Sequence, residues 1–177
     1  MDLEMTGLEP AQHVIVEIAT IITDDDLHVI AEGPDLVIHA TVDQLAQMPP
    51  IVQEMHTKSG LLGAIGTSTV ELADAEQQTL AFLRSHVNQP ATVPLCGNSI
   101  GTDRHFLHHH MPELEAFFHY RNVDVSTIKE LIRRWRPELL EEVPDKASNH
   151  RALDDIRESI AELQFYRERL FIPSPRQ

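Results

Sequence analysis

Ten residues, Val14 to Thr23, read VIVEIATIIT, and this run confines the chain more than any other stretch. Most of its side chains branch at Cβ, which stiffens χ1 and suits a pleated surface, so it reads as a strand. Asp24 to Asp26 then makes a turn. His28 to Ile38 reads as a second strand, and Gly33 and Pro34 inside it imply a bend or bulge. Thr69 to Val87 carries Leu72, Ala75, Leu80 and Leu83 among Glu and Gln residues, the period of a helix. Thr92 to Cys96 is a short strand closed by Gly97 and Asn98, and Asp103 to His110 is a helix that ends before Pro112. Asn122 to Val125 reads as a strand, with Ser126 capping a helix to about Trp135. Asp154 to Leu170 is the last helix, with Ile156, Ile160, Leu163 and Tyr166 on one face. Strands that alternate with helices in the second half predict an α/β fold, a mixed sheet covered by helices.

A chain of 177 residues is one domain of ordinary size, expected over residues 1–171, with a short C-terminal tail from Ile172 to Gln177. With 42% hydrophobic and 24% charged residues, global disorder is not expected. There is no apolar run long enough for a transmembrane helix, and the N-terminus does not read as a secretory signal. The one cysteine, Cys96, excludes an internal disulfide framework and a Cys-based zinc site; it reads as a small buried apolar residue in a reducing cytoplasm. Acidic residues outnumber basic ones 28 to 14, a net charge of −14. Proteins that grip long nucleic acid set cations against phosphate. This chain cannot do so over its whole surface, but it can hold a short anion where metal ions supply positive charge locally.

Three stretches place acids in tight-turn or apolar settings. In Asp2-Leu3-Glu4, residues i and i+2 of a strand share a face, so both acids project together with Leu3 buried behind, and Met5-Thr6-Gly7-Leu8 closes the strand in a glycine turn. In Cys96-Gly97-Asn98-Ser99-Ile100-Gly101-Thr102-Asp103, two glycines and an asparagine let the backbone turn toward a ligand just before Asp103. In His150-Arg151-Ala152-Leu153-Asp154-Asp155, His150 and Asp155 flank the start of the last helix, and Asp154 reads as solvent-facing. Asp103 as a helix cap and His150 as a surface residue are the plain alternatives. Hard oxygen donors without cysteine suit Mg²⁺ or Mn²⁺. Two such ions about 4 Å apart can stabilise both the attacking and leaving oxygens of a phosphodiester. A histidine can deprotonate the water that attacks.

Asp2 to Glu4, Gly97 to Asp103 (GNSIGTD) and His150 to Asp155 (HRALDD) resemble the three exonuclease motifs of the DEDDh superfamily. MTGLEP (Met5 to Pro10), HYRNVDVSTIKEL (His119 to Leu131) and DDIRESIAEL (Asp154 to Leu163) are similar to the oligoribonuclease family within it, and the resemblance covers essentially the whole chain. It implies a ribonuclease-H-like fold, a five-stranded mixed sheet flanked by helices. It implies 3′-to-5′ exonuclease action on short RNA, dinucleotides above all, releasing 5′-mononucleotides with two divalent ions. Asp2, Glu4, Asp103 and Asp155 match the metal-binding acids, and His150 the general base. The family is a homodimer, and Tyr120 matches a tyrosine that reaches the partner's site. Leu8 matches a residue wedged between bases, and His56 a substrate-contacting histidine. Ser99, Arg121 and Ser126 match groups around the substrate's 5′-phosphate. A closed end with Arg and hydroxyl donors favours a two-nucleotide ligand over a long strand.

Two departures from the family carry expectations. Relatives have several apolar residues before the acid at Asp2, in a strand central to the sheet; the expectation is a misplaced or trimmed start, with weaker stability and activity. Many relatives carry a tryptophan near Met48 to Ile51, where this chain has MPPI, so that one base-stacking surface is either supplied by Ile51 or missing. His105, His108, His109 and His110 point in different directions on a helix and read as a solvated face; Trp135 reads as packing at a helix end. Two other readings stand beside the first: a proofreading exonuclease acting on DNA, and a non-enzymatic module whose acids bind Ca²⁺ or cap helices.

Overall fold

The computed structural model of the chain describes residues 1–143 and 150–171. The tail expected over 172–177 lies outside the described residues. β1 (Asp2–Met5), β2 (Ile15–Thr23) and β3 (Val29–Val37) form an antiparallel sheet in that order, while β4 (Pro94–Gly97) and β5 (His119–Asp124) form a parallel pair. Around them lie α1 (Val42–Leu45), α2 (Pro50–Lys58), α3 (Leu61–Thr67), α4 (Leu72–His86), α5 (Ile100–His110), α6 (Pro112–Phe117), α7 (Val125–Trp135), a 3₁₀ turn (Pro137–Glu142) and α8 (Ala152–Leu170).

The β-branched run builds the middle strand of the first sheet. Ile15 to Thr20 are all buried, with β1 on one side and β3 on the other. The β2–β3 register shifts between Ala19 (opposite Asp35) and Ile21 (opposite Glu32), so the irregularity falls at Gly33 and Pro34. A side chain at Gly33 would strike the Phe82 ring at 2.6 Å, because α4 packs closely there. Leu80 and Leu83 of α4 join Leu3, Ile18, Leu95 and Phe106 in the main core. Truncating a fully buried leucine such as Leu80 costs about 2–5 kcal/mol. The short helices α1, α2, α3 and α6 have no counterpart in the sequence reading. Each is ten residues or fewer, too short for a 3.6-residue period to stand out.

The five strands lie in sheets of three and two rather than in one continuous ladder. The physical reason is at the seam. β1 spends its four residues on β2, and only the Met1 amine reaches β4, donating to Cys96 O at 3.1 Å. The two backbones are nevertheless adjacent, since a side chain at Gly97 would meet Met1 O at 2.9 Å. Beyond that contact a cavity of about 340 Å³ separates Ile21 and Ile22 of β2 from Pro94 and Cys96 of β4, with Ile160 and Leu163 of α8 over it. The Thr20 hydroxyl, buried beside it, has no hydrogen-bond partner among the described residues.

Four local readings are corrected. Cys96 is exposed: β4 alternates, turning Leu95 and Gly97 inward and Pro94 and Cys96 outward. Trp135 is 70% exposed at the end of α7 rather than packed. The cap of α7 is Asp124, whose carboxylate accepts from Ser126 N at 2.9 Å; Ser126 is already helical. His105, His108 and His109 are exposed as expected, but His110 is half-buried, donating through Nε2 to His13 O at 3.0 Å and stacking on Phe106.

Candidate active site

Asp2 and Glu4 share a face of β1, with Leu3 turned into the core between them. The β1–β2 register sets Glu4 opposite Glu17. Asp103 lies in the first turn of α5; its Oδ1 accepts from Leu3 N at 3.0 Å and so ties α5 to β1. The helix starts there because the chain leaves β4 through Gly97 and turns at Ser99, which is left-handed at φ 50°. From the third element, α8, Asp155 comes to Glu4: one ligand atom from each of Glu4, His150 and Asp155 lies within 4.8 Å of the others. His150 stands one residue before Arg151, also left-handed at φ 49°. Asp154 points outward and pairs with Arg157 at 3.3 Å.

The electrostatics record the crowding. Burial, then repulsion from Asp2, Asp155, Glu17 and Asp103, pushes the Glu4 carboxyl up to about 9. Asp2 is likewise raised well above the usual carboxylate range, by burial first and then by Asp103 and Asp155. Burial raises Asp103 to about 6, restrained by amide donors that include Leu3 N. Mutual repulsion among partly buried acids is relieved by a cation placed between them, and the donor set of carboxylate oxygens with one imidazole fits a hard divalent metal. One ligand atom each from Glu4, His150 and Asp155 lies close enough to the others to share one such ion.

The other residues singled out by sequence fall around this centre in different ways. Leu8 is 72% exposed in the turn after β1, and Ile51 is 77% exposed at the start of α2. His56 of α2 is fully buried. Its Nε2 donates to Met5 O at 2.9 Å, and its Nδ1 has no hydrogen-bond partner among the described residues and lies 3.9 Å from Glu4 Oε2. Burial lowers its proton affinity. Ser99 and Ser126 follow the C-terminal ends of the parallel strands β4 and β5 and meet there, hydroxyl to hydroxyl at 3.2 Å. Tyr120 and Arg121 are exposed on β5; Tyr120 stacks on His119, and the Arg121 guanidinium lies 5.3 Å over the Tyr120 ring.

Sequence reasoning passed over three residues that organise these groups. Asp124 accepts from both Ser99 N and Ser126 N, fixing the two serines. Asn98 accepts from the Ser126 hydroxyl and bonds Ser159 of α8, joining the β4 turn to the last helix. Glu17, fully buried, bonds Arg151 and Ala152 N at the start of α8. A lone acid inside VIVEIA is the signal that could have found Glu17.

A sheet flanked by helices, with acids from β1, α5 and α8 drawn to one place, defines the domain of an exonuclease, a phosphodiester hydrolase. The family described as Exonuclease matches residues 1–163. An oligoribonuclease of Aeromonas hydrophila is 57% identical over 171 residues, 97% of this chain and 93% of that one. One from Vibrio cholerae is 56% identical over the same shares. One from Streptomyces coelicolor is 53% identical over 175 residues, 99% of this chain and 87% of that protein. The chain belongs to the exonuclease family and, within it, to the oligoribonucleases. The solved structure of an Exonuclease I from Methylocaldum szegediense superposes with a TM-score of 0.68 at 21% identity, covering 96% of this chain and 40% of that one, a likeness of fold.

Proposed function

We propose that this chain, as one exonuclease domain over residues 1–171 with a short tail at 172–177, hydrolyses short oligoribonucleotides in the cytoplasm. It takes dinucleotides above all and works from the 3′ end to release 5′-mononucleotides. The observation that carries this reading is the gathering of Glu4, Asp155 and His150 with Asp2 and Asp103, crowded enough to raise the carboxyls of Asp2, Glu4 and Asp103. Asp2, Glu4, Asp103 and Asp155 would hold two divalent ions, Mg²⁺ or Mn²⁺. Bound there, such ions stabilise negative charge on the attacking and leaving oxygens. The His150 imidazole accepts the proton of the attacking water, as a general base within reach of that centre. The Ser99 and Ser126 hydroxyls and the Arg121 guanidinium receive the 5′-phosphate, and Asp124 orients the two serines by taking their amides. Leu8 offers an exposed apolar surface to a base, and the free Nδ1 of His56 faces the acid cluster from beneath. Tyr120, 73% exposed, extends to the partner's site in a homodimer. A phosphate pocket that ends the groove after two nucleotides needs no basic track, which accords with a net charge of −14.

Mononucleotide release from 5′-phosphorylated RNAs of two to seven residues, with and without chelator, tests the reading. The dinucleotide is expected to turn over more than about tenfold faster than the heptamer, and chelator to abolish release. Equal rates at all lengths, or equal rates on DNA, would remove the short-RNA assignment. Tyr120→Ala is expected to cut turnover about tenfold or more while leaving the melting temperature nearly unchanged; a fully active monomer in sedimentation would undo the dimer.

A further inference from the structure

The N-cap residue of α8 is Arg151, whose side chain makes no cap hydrogen bond. The cap comes from another element, 135 residues away in sequence: Glu17 Oε2 on β2 accepts from Ala152 N at 3.0 Å. The other oxygen, Glu17 Oε1, takes Arg151 Nε at 2.8 Å and Nη2 at 2.6 Å. A buried carboxylate is tolerated when hydrogen bonds satisfy it, and three donors do so here. Glu17 is fully buried on the strand held between β1 and β3, so it is a rigid anchor; the Arg151 side chain is 34% exposed.

What hangs on this anchor is the candidate site. His150 directly precedes Arg151 and is held left-handed, and Asp155 N bonds Arg151 O at 3.0 Å to close the first helical turn. Ala152 and Ile156 pack on Ala19 of β2, two residues from Glu17, sealing the same turn against the sheet. On the facing strand Glu17 lies opposite Glu4, the acid that meets His150 and Asp155. The clamp therefore connects the two elements whose separation sets that meeting. We propose that Glu17 and Arg151 are a positioning pair, which locks the first turn of α8 onto β2 and thereby places His150 and Asp155 against Glu4 for hydrolysis. The pair touches no substrate and acts through those three residues. The proposal rests on the function given above.

Arg151→Ala is expected to lower kcat on a 5′-phosphorylated diribonucleotide about 100-fold with KM changed less than about threefold, since a displacement of about 1 Å at a reacting group has that effect. Guanidinium ion added at concentrations far below denaturing restores part of the lost kcat, a recovery that general loss of packing does not give. Arg151→Lys stays well below the parent, because an ammonium cannot make the two-pronged contact. Glu17→Gln matches Arg151→Ala, and the double variant loses little more than either single one. Arg157→Ala, on the outer face of α8 and paired with Glu32 and Asp154, serves as the control and stays within about twofold. Amide exchange at residues 152–155 is read alongside and rises in the Arg151 and Glu17 variants. An inactive parent protein overturns the hydrolase reading and this proposal together. An active parent whose folded Arg151→Ala and Glu17→Gln variants keep kcat within threefold, or gain nothing from guanidinium, overturns this proposal alone.

Discussion

Asp103 shows how much one side chain carries. Its Oδ1 holds the Leu3 amide, so it positions β1, while its charge adds to the repulsion on Asp2. Asp103→Asn keeps an acceptor for Leu3 N and removes the charge. The expected outcome is a metal-free melting temperature unchanged or raised, with hydrolysis lowered more than about 100-fold, the opposed signs of a strained functional residue. A calorimetric scan and a rate measurement on one preparation check both. The acids were legible through the three motifs taken together, because a lone D-x-E on a strand is most often a solvated pair and an acid after a glycine turn also reads as a helix cap. Their partners were not: a hydrogen bond between positions 3 and 103, or between 17 and 151, leaves no periodic mark in a chain. His56 illustrates the same limit, since nothing in PIVQEMHTK says that the ring is fully buried and bonded to Met5 O.

At the scale of elements, β2, β3, α4 and α8 were readable because each is nine residues or longer, with a clear period. The expected five-stranded mixed sheet is divided between β1 and β4, which are joined by one amine-to-carbonyl bond. The cavity of about 340 Å³ beside it is lined by Ile21 to Thr23 of β2 and by Pro94 to Gly97 of β4, with the Thr20 hydroxyl unpartnered among the described residues. Placing six alternating apolar residues ahead of Met1 would run β1 into this slot, pairing with Ile21 to Thr23 on one side. If the extension gains about 2–3 kcal/mol, the melting temperature rises by about 5–10 °C. Thermal unfolding of extended and parent chains compares them directly; no gain would mean that the slot does not accept a strand. Turn chemistry was read two positions off at α7, where Asp124 and Ser126 are both capping types and only the fold decides that the aspartate caps.

Over the whole molecule, the acid centre sets how stability depends on pH. Glu4 at about 9 and Asp103 at about 6 bind protons that the unfolded chain has released near pH 4, and Asp2 is shifted in the same direction. The folded state thus holds more protons than the unfolded one across this window, so stability falls as pH rises from about 5 to about 9. A divalent ion that prefers the ionised carboxylates reverses the trend and stabilises more at higher pH, with proton release on binding. Melting temperatures in chelator and in Mn²⁺ across that range are expected to diverge as pH rises. The net charge of −14 was visible in the sequence, and so was its consequence that no long basic track exists. The concentration of part of that charge at one buried centre was visible only through the family motifs.

The central claim is that Asp2, Glu4, Asp103 and Asp155 form one cation-binding centre. Titration of the chelator-treated protein with Mn²⁺, read by the loss of the free-ion paramagnetic signal, tests it most directly. The account predicts tight, saturable uptake of two ions per chain at pH 8, sharply weakened in Asp103→Asn. Uptake no different between the parent and that variant would contradict it.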